Sequence, residues 1–359
     1  MGMAQSVNKT SSSYIAGPIR DTIFLIAAPL VAILVFIPFK ANPLLSFPLP
    51  EGVTSIDDKS LATAFINVII FSHLFIVFFR SHLNPEIFKL YKLRFTLVPL
   101  VLFAAISFSV WLLAIVAVIG IWWDVYHSSL QTFGIGRIYD ARKGNDALMG
   151  RRLDWVLNLI LYTGPILAGV SLVSHLMINQ EQLEQYLDLE KPFFEWVPAT
   201  GEYSQILTYS ILTLCMLFFI YYFYAYWRLS QRGYKVSYQK VFLYAILALV
   251  SITCWGFNSF GEAFFVMNFF HACQYFFIVW HMEQKNITSF FRLSKYRGGR
   301  QIALSIFILT GISFGIWHTI YLDTLQLSTR MMASILLVVS IMHFWYDGFI
   351  WSVRKGQVR

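Results

Sequence analysis

Residues 263–282 read AFFVMNFFHACQYFFIVWHM, a run without Asp, Glu, Lys or Arg. An α-helix needs about 20 predominantly apolar residues to cross the hydrocarbon core of a bilayer. The rest of the chain has the same character, because 57% of its 359 residues are hydrophobic and only 13% are charged, against about 25% charged in a typical soluble domain. The composition therefore predicts an all-α, polytopic integral membrane protein.

Ten apolar stretches of this kind follow one another along the chain. The predicted spans are residues 22–39, 61–79, 94–108, 110–135, 153–177, 204–227, 240–257, 263–282, 301–321 and 328–352. The third and fourth spans come from one continuous apolar stretch, which its length and the charge pattern divide near residues 107–109. We predict a single transmembrane helical domain over residues 21–352, between a cytoplasmic N-terminal segment (1–20) and a basic cytoplasmic tail (353–359).

The distribution of basic residues predicts the orientation of the bundle. With the N-terminus inside, the outside segments hold only Lys40, Lys59, Lys191 and Arg330 of the 27 Lys and Arg residues. The positive-inside rule then places both termini in the cytoplasm, and we expect the protein in a bacterial inner membrane. The positive charge reflects this topology and attraction to anionic headgroups, so the expected partners include membrane lipids and no nucleic acid.

Six of the eight histidines fall toward the predicted cytoplasmic side. Ionisable side chains within a bilayer usually face the bundle interior or a cavity, so several at one depth on different helices predict a metal site. Four lie at comparable depth on the second, fourth, eighth and tenth spans, and two lie nearer the rim, where contact with headgroups is the alternative role. The predicted metal ligands are His73, His127, His271 and His343 at depth, with His82 and His281 at the rim.

Polar residues lie three or four positions from three of the deep histidines, which places each pair on one helix face. A carboxylate at such a position can ligate the metal directly, or it can accept the second N–H of the imidazole and fix its orientation. The predicted catalytic residues of this kind are Asp124, Gln131, Gln274 and Asp347. His175 and His318 lie on the outer halves of their spans and do not belong to this set.

The ligand types favour particular metals. Neutral imidazole combined with carboxylate suits iron, zinc, copper or nickel, and three or four histidines with one or two carboxylates predict non-haem iron, as one or two ions. Zinc is an alternative. Haem is another, because histidines on facing helices can hold it, but two histidines would suffice and the others would have no role.

Two short helical segments resemble motifs of a known family. Residues 270–280 read FHACQYFFIVW and residues 343–347 read HFWYD, and both are similar to His-containing helical motifs of the bacterial Brp/Blh-type membrane carotene dioxygenases. Those enzymes are integral membrane proteins that use iron and O₂ to cleave β-carotene to retinal. The resemblance implies that His271 and His343 are metal ligands.

These observations predict a metal-dependent oxygenase or oxidoreductase that acts on a lipid or isoprenoid at a cytoplasmic-side histidine cluster, with an electron donor as a candidate partner. Two other functions use the same residues. One is a transporter, or a proton or metal-ion carrier, in which the histidines form a relay. The other is a haem-binding electron-transfer protein.

Overall fold

The computed structural model describes residues 13–41, 61–169, 171–178, 201–321, 329–352 and 357. All regular elements in these ranges are helical, as the sequence predicts. They are α1 (Pro18–Asp21), α2 (Ala28–Ala41), α3 (Leu61–Ser81), α4 (Pro85–Phe108), α5 (Val110–Arg142), α6 (Arg151–Ala168), α7 (Ser171–Ile178), α8 (Gly201–Gln231), α9 (Tyr238–Phe257), α10 (Phe260–Phe290), α11 (Gly299–Ile316) and α12 (Thr329–Ile350). Thr22–Ile26 and Trp317–Tyr321 are π-helical, and Leu293–Lys295 is a 3₁₀ turn.

Within the described ranges, eight helices are long and apolar enough to cross a membrane: α3, α4, α5, α8, α9, α10, α11 and α12. Two further pairs meet the same criterion together but are bent. Pro18–Ile26 and Ala28–Ala41 meet at 59°, and α6 and α7 meet at 90°. The described residues therefore hold eight candidate spans, or up to ten if each bent pair is one span, as in an integral membrane protein. Residues 1–12, Lys59, Lys191 and most of the predicted tail lie outside the described residues.

The division of the long apolar stretch between the third and fourth predicted spans is confirmed. α4 ends at Phe108, Ser109 is extended (φ −121°, ψ 108°), and α5 begins at Val110. The Ser109 side chain accepts a hydrogen bond from the Leu112 amide at 3.2 Å, which is the role that serine favours at a helix N-cap. Both helices extend further than predicted at their charged ends, because a helix can continue beyond the bilayer.

The helices differ in how deeply they are enclosed. In the span of α10, 72% of the residues are buried inside the protein, against 11% for α4 and 6% for α8. α10 is therefore the central helix, whereas α4 and α8 present their apolar side chains outward. That is the expected arrangement in lipid, because acyl chains are as apolar as leucine.

Buried charges join the helices at one end of the bundle, where α5 ends and α6 and α9 begin; we call this the basic end. The Arg137 guanidinium contacts carboxylate oxygens of Asp140 at 2.7 Å and Asp154 at 2.8 Å. The Lys240 ammonium contacts the same two carboxylates at 2.8 and 3.1 Å. Two cations thus neutralise two anions, and all four side chains are buried.

Tyrosine hydroxyls complete this cluster. Tyr222 and Tyr226 of α8 donate to Asp154 at 2.9 and 2.6 Å, and Tyr234 donates to Asp140 at 2.8 Å. Tyr234 lies in the connection between α8 and α9, where burial, and next the Asp140 carboxylate, raise the pKa of its hydroxyl. It therefore remains a hydrogen-bond donor at neutral pH, and both carboxylates are bound by neutral donors as well as by cations.

We predict that Lys240→Met destabilises the protein, because two buried carboxylates would then share one cation. Removing one partner of a buried ion pair costs about 3–5 kcal/mol. The free energy of unfolding, measured by SDS titration in mixed micelles, should fall by that amount. Lys235→Met is the matched control, because the Lys235 side chain is exposed five residues away. Coincident unfolding curves for the two variants would show that the cluster contributes little.

Candidate metal centre

Four helices bring four histidines into one cluster. His73 of α3 lies 5.1 Å from His271 of α10 and 4.9 Å from His343 of α12, measured between ring centroids. His127 of α5 lies 5.0 Å from His271 and 4.9 Å from His343. The contacts form a closed circuit in which each ring meets two others. All four side chains are between 0% and 2% exposed, so the structure brings together the four deep histidines that the sequence singles out.

The ring nitrogens of this histidine cluster lack hydrogen-bond partners. This holds for both nitrogens of His73, His271 and His343 and for Nε2 of His127. The backbone lies near His73 at Ile69 and Ile70 and near His343 at Leu74, but without the geometry of a well-formed hydrogen bond. An unsatisfied buried polar group costs about 1–3 kcal/mol, so this many in one place indicates that something else binds them.

Two sets of ligand atoms converge within the cluster, each with all its atoms within 4.8 Å of one another. One is His73, His271 and His343, and the other is His127, His343 and Asp347. Ligands about 2.0–2.2 Å from a metal lie roughly 3–4 Å apart, so small side-chain adjustments would close either set around an ion. Because His343 belongs to both, the cluster fits one ion or two adjacent ions.

Asp347 is held with one oxygen directed at the imidazoles. Its Oδ1 accepts hydrogen bonds from the Tyr275 hydroxyl at 2.8 Å and from Trp351 Nε1 at 2.9 Å. Its Oδ2 lies 3.8 Å from Nε2 of His127 and 3.9 Å from Nε2 of His343. These distances are too long for hydrogen bonds, and they suit atoms that share a metal. Oriented carboxylates of this kind are typical of metal sites.

The two glutamines link the cluster to its surroundings. Gln131 Nε2 donates to the His271 carbonyl and to Gln274 Oε1, both at 3.0 Å. Gln274 Nε2 donates to the Leu25 carbonyl at 2.7 Å, in the π-helical segment. These amides tie α10 to α5 and to the N-terminal helices. They position His271, and their predicted catalytic role remains a prediction.

Besides the two glutamines, three of the predicted site residues lie outside both ligand sets. Asp124 is on α5 near the buried Tyr162. Both His82 nitrogens are engaged, Nδ1 with Ser81 Oγ at 2.8 Å and Nε2 with the Phe95 carbonyl at 3.3 Å. Burial lowers the pKa of His82, so its ring is neutral at pH 7. His281 lines a separate cavity. The structure does not bring these three side chains into the cluster.

The remaining two histidines lie apart from the cluster, as the sequence predicts. His175 Nδ1 lies 2.7 Å from the Ser171 carbonyl, and its ring packs against Trp255. His318 stacks on Phe71. His318 therefore serves as a control for histidine substitutions.

A small cavity of about 70 Å³ adjoins the cluster between α5, α10 and α12. His127 and Asp347 line one part of it, and Ile138 and Trp351 line it nearer the basic end. Most of its walls are apolar, and Gln131, whose Oε1 has no hydrogen-bond partner, adds a polar group. The cavity can admit a small molecule or the end of an apolar chain to the face of the cluster that carries the carboxylate.

Three supporting residues were missed in the sequence. Tyr275 and Trp351 hold Asp347, and the Arg80 guanidinium lies 3.9 Å from the centre of the Trp351 ring. Arg80 is itself paired with Glu283, and both are buried. A signal was present, because Tyr275 follows His271 by four residues and Trp351 follows Asp347 by four. That spacing places each supporting residue on the same helix face as the ligand that precedes it.

The chain matches no protein-family model, no curated protein and no solved structure. The class of the protein therefore follows from its own fold and site. It is a polytopic α-helical membrane protein in which four buried histidines and one aspartate, contributed by four helices, converge at a candidate metal centre.

We predict that Tyr275→Phe weakens metal binding, because it removes one of the two hydrogen bonds that orient Asp347 and keeps the ring. Loss of such a supporting hydrogen bond typically lowers metal affinity 10–100-fold, and chelator-competition titration with Fe²⁺ or Zn²⁺ measures the change. Tyr222→Phe is the matched control, since it removes a buried hydroxyl from the ionic cluster at Asp154. Equal affinities in both variants and the wild type would show that the Tyr275 hydrogen bond does not support metal binding.

Proposed function

We propose that this protein is an integral-membrane, metal-dependent oxygenase or oxidoreductase that uses non-haem iron. The ligands are His73, His127, His271 and His343 with Asp347. The observation that carries the proposal is the convergence of unpartnered imidazole nitrogens on one carboxylate oxygen in a buried site. A bound cation satisfies the lone pairs that the protein leaves without partners.

Charge favours a metal over a proton relay. Four adjacent imidazoles that carried protons would repel one another strongly in a low-dielectric interior. Among the described carboxylates, only Asp347 lies within 4 Å of these rings to offset them. Neutral imidazoles that coordinate a divalent cation avoid this repulsion, and Asp347 compensates part of the charge of the cation. The same four rings are therefore better suited to hold an ion than to pass protons.

The shape of the site favours iron without a porphyrin. The four rings contact one another at 4.9–5.1 Å, and the described cavity beside them measures about 70 Å³, which leaves no flat slot for a macrocycle in this part of the chain. His127, His343 and Asp347 form a set of two histidines and one carboxylate. Such a set with open positions is typical of non-haem Fe(II) oxygenases.

Iron at this site would supply the activation of dioxygen, and the protein would supply the rest. Tyr275 and Trp351 keep the Asp347 carboxylate fixed, and the apolar cavity walls keep water from reactive species. The apolar residues that line the cavity toward the basic end suit a lipid or isoprenoid chain that enters from the inner leaflet. We also propose that the protein lies in a bacterial inner membrane and that both of its termini are cytoplasmic.

Metal content tests the ligand assignment. Protein purified without chelators should contain one or two iron ions per chain by elemental analysis. His127→Ala and His343→Ala should each lose the metal, because each removes a ligand from a buried site, and His318→Ala should retain it. Equal retention in all three variants, or a wild type that binds no metal after reconstitution with Fe²⁺, would refute the assignment.

Isotope incorporation tests the reaction. We expect the reconstituted protein to transfer ¹⁸O from ¹⁸O₂ into a lipid or isoprenoid supplied in nanodiscs, as detected by mass spectrometry, and His343→Ala to abolish the transfer. Cleavage of a C=C bond by one O₂ gives two carbonyls and needs no external electrons, whereas insertion of one oxygen atom needs two electrons from a donor. The need for a reductant thus distinguishes the two reactions.

The same preparation distinguishes a carrier from an oxygenase. Saturable proton or divalent-metal flux into liposomes, together with intact metal content and no consumption of O₂, would replace the oxygenase proposal with the carrier.

A further inference from the structure

A second cavity, which we call the α10–α11 crevice, lies on the other face of α10. Its volume is about 710 Å³. Its deeper walls are apolar and largely aromatic, and they include Phe276, Phe277, Phe307, Ile308 and Ile312. Such a volume with such walls accommodates hydrocarbon and offers little to a polar solute.

The mouth of the crevice is basic and polar. Arg20 comes from α1 and Arg300 from the first turn of α11, and His281, Gln284 and Gln301 complete the rim. Both arginines are exposed, and no carboxylate among the described residues forms an ion pair with either of them. The mouth therefore presents two uncompensated guanidinium groups beside hydrogen-bonding side chains.

The nearest acidic residue is occupied by other contacts. Asp21 accepts hydrogen bonds from the amides of Ile15 at 2.6 Å and Ala16 at 2.8 Å and from the Tyr139 hydroxyl at 3.0 Å. It is fully buried. Its carboxylate holds the N-terminal segment in place and leaves the Arg20 guanidinium free to bind an anion at the mouth.

We propose that the α10–α11 crevice binds one anionic phospholipid, with its phosphate on Arg20 and Arg300 and an acyl chain along the aromatic walls. Arginine binds phosphate through paired N–H groups, and basic pockets between transmembrane helices bind anionic headgroups.

The dimensions of the crevice match this occupant. Arg300 and Ile312 are twelve residues apart on α11, which is about 18 Å of helix rise. One leaflet of a bilayer contributes roughly half of a hydrocarbon core about 30 Å thick. An acyl chain that starts at a phosphate on Arg300 would therefore reach the depth of Ile312.

The crevice is separate from the histidine cluster. Cys273, Phe276 and Phe277 line the crevice, whereas His271 and Tyr275 face the cluster. The body of α10 stands between the two, so the lipid would bind beside the metal centre and would not contact it. Lipid binding at the crevice therefore does not depend on the proposed function of the metal centre.

Native mass spectrometry of delipidated protein tests the proposal. Phosphatidylglycerol should bind more tightly than phosphatidylcholine with the same acyl chains. The double variant Arg20→Gln/Arg300→Gln should bind phosphatidylglycerol at least about tenfold more weakly, because it removes both phosphate contacts. Arg297→Gln is the matched control, since Arg297 is exposed at the same end and does not line the crevice. Equal binding of the two lipids, or an unaffected double variant, would overturn the proposal.

A second variant tests the acyl-chain contact. Leu304→Trp places a larger side chain in the crevice wall and should weaken phosphatidylglycerol binding, with Arg20 and Arg300 intact. Inorganic phosphate alone should compete poorly. If millimolar phosphate displaces the lipid fully and Leu304→Trp has no effect, the arginines form a site for soluble anions and the lipid proposal fails. Metal content should remain unchanged in all these variants, so the outcome is independent of the metal centre.

Discussion

The hydrocarbon core of a bilayer offers no water to a polar group, so each buried polar group in this bundle has to find its partner within the protein. Two buried groups of charged residues meet this requirement largely through ion pairs. Arg137 and Lys240 pair with Asp140 and Asp154, and Arg80 pairs with Glu283. The histidine cluster is equally buried, yet most of its ring nitrogens have no partner. The two ion-paired groups stabilise the fold, whereas the histidine cluster needs an external ligand to satisfy its ring nitrogens.

The ion pair of Arg80 and Glu283 also supports the histidine cluster. Arg80 donates to the Ile350 carbonyl at 2.9 Å, which satisfies one of the free carbonyls at the end of α12. Its guanidinium lies over the Trp351 ring, and Trp351 donates to Asp347. A chain of contacts thus runs from a buried ion pair to the carboxylate that faces the imidazoles. The position of Asp347 is set by the packing of this helix end as much as by α12 itself.

α10 separates two environments of different character. On one face, His271 meets the other imidazoles in a polar, tightly packed centre with a small cavity. On the other face, aromatic side chains line a larger crevice with a basic mouth. A central helix that is 72% buried in its span can serve both, because residues three or four apart share a face and the intervening residues turn away.

The helical class, the positions of the spans and the four deep histidines could all be predicted from the sequence, because they depend on hydrophobic length and on depth along a helix. The same local spacing, however, applied to Asp124 and to Asp347, and the structure turns only Asp347 to the imidazoles. His82 directly follows α3 and His281 lies on α10, and neither joins the cluster. Depth along the helix separates His82 and His281 from the ligands, whereas the rotation of each helix about its axis decides between the two aspartates. That rotation is set by packing against neighbours distant in the chain.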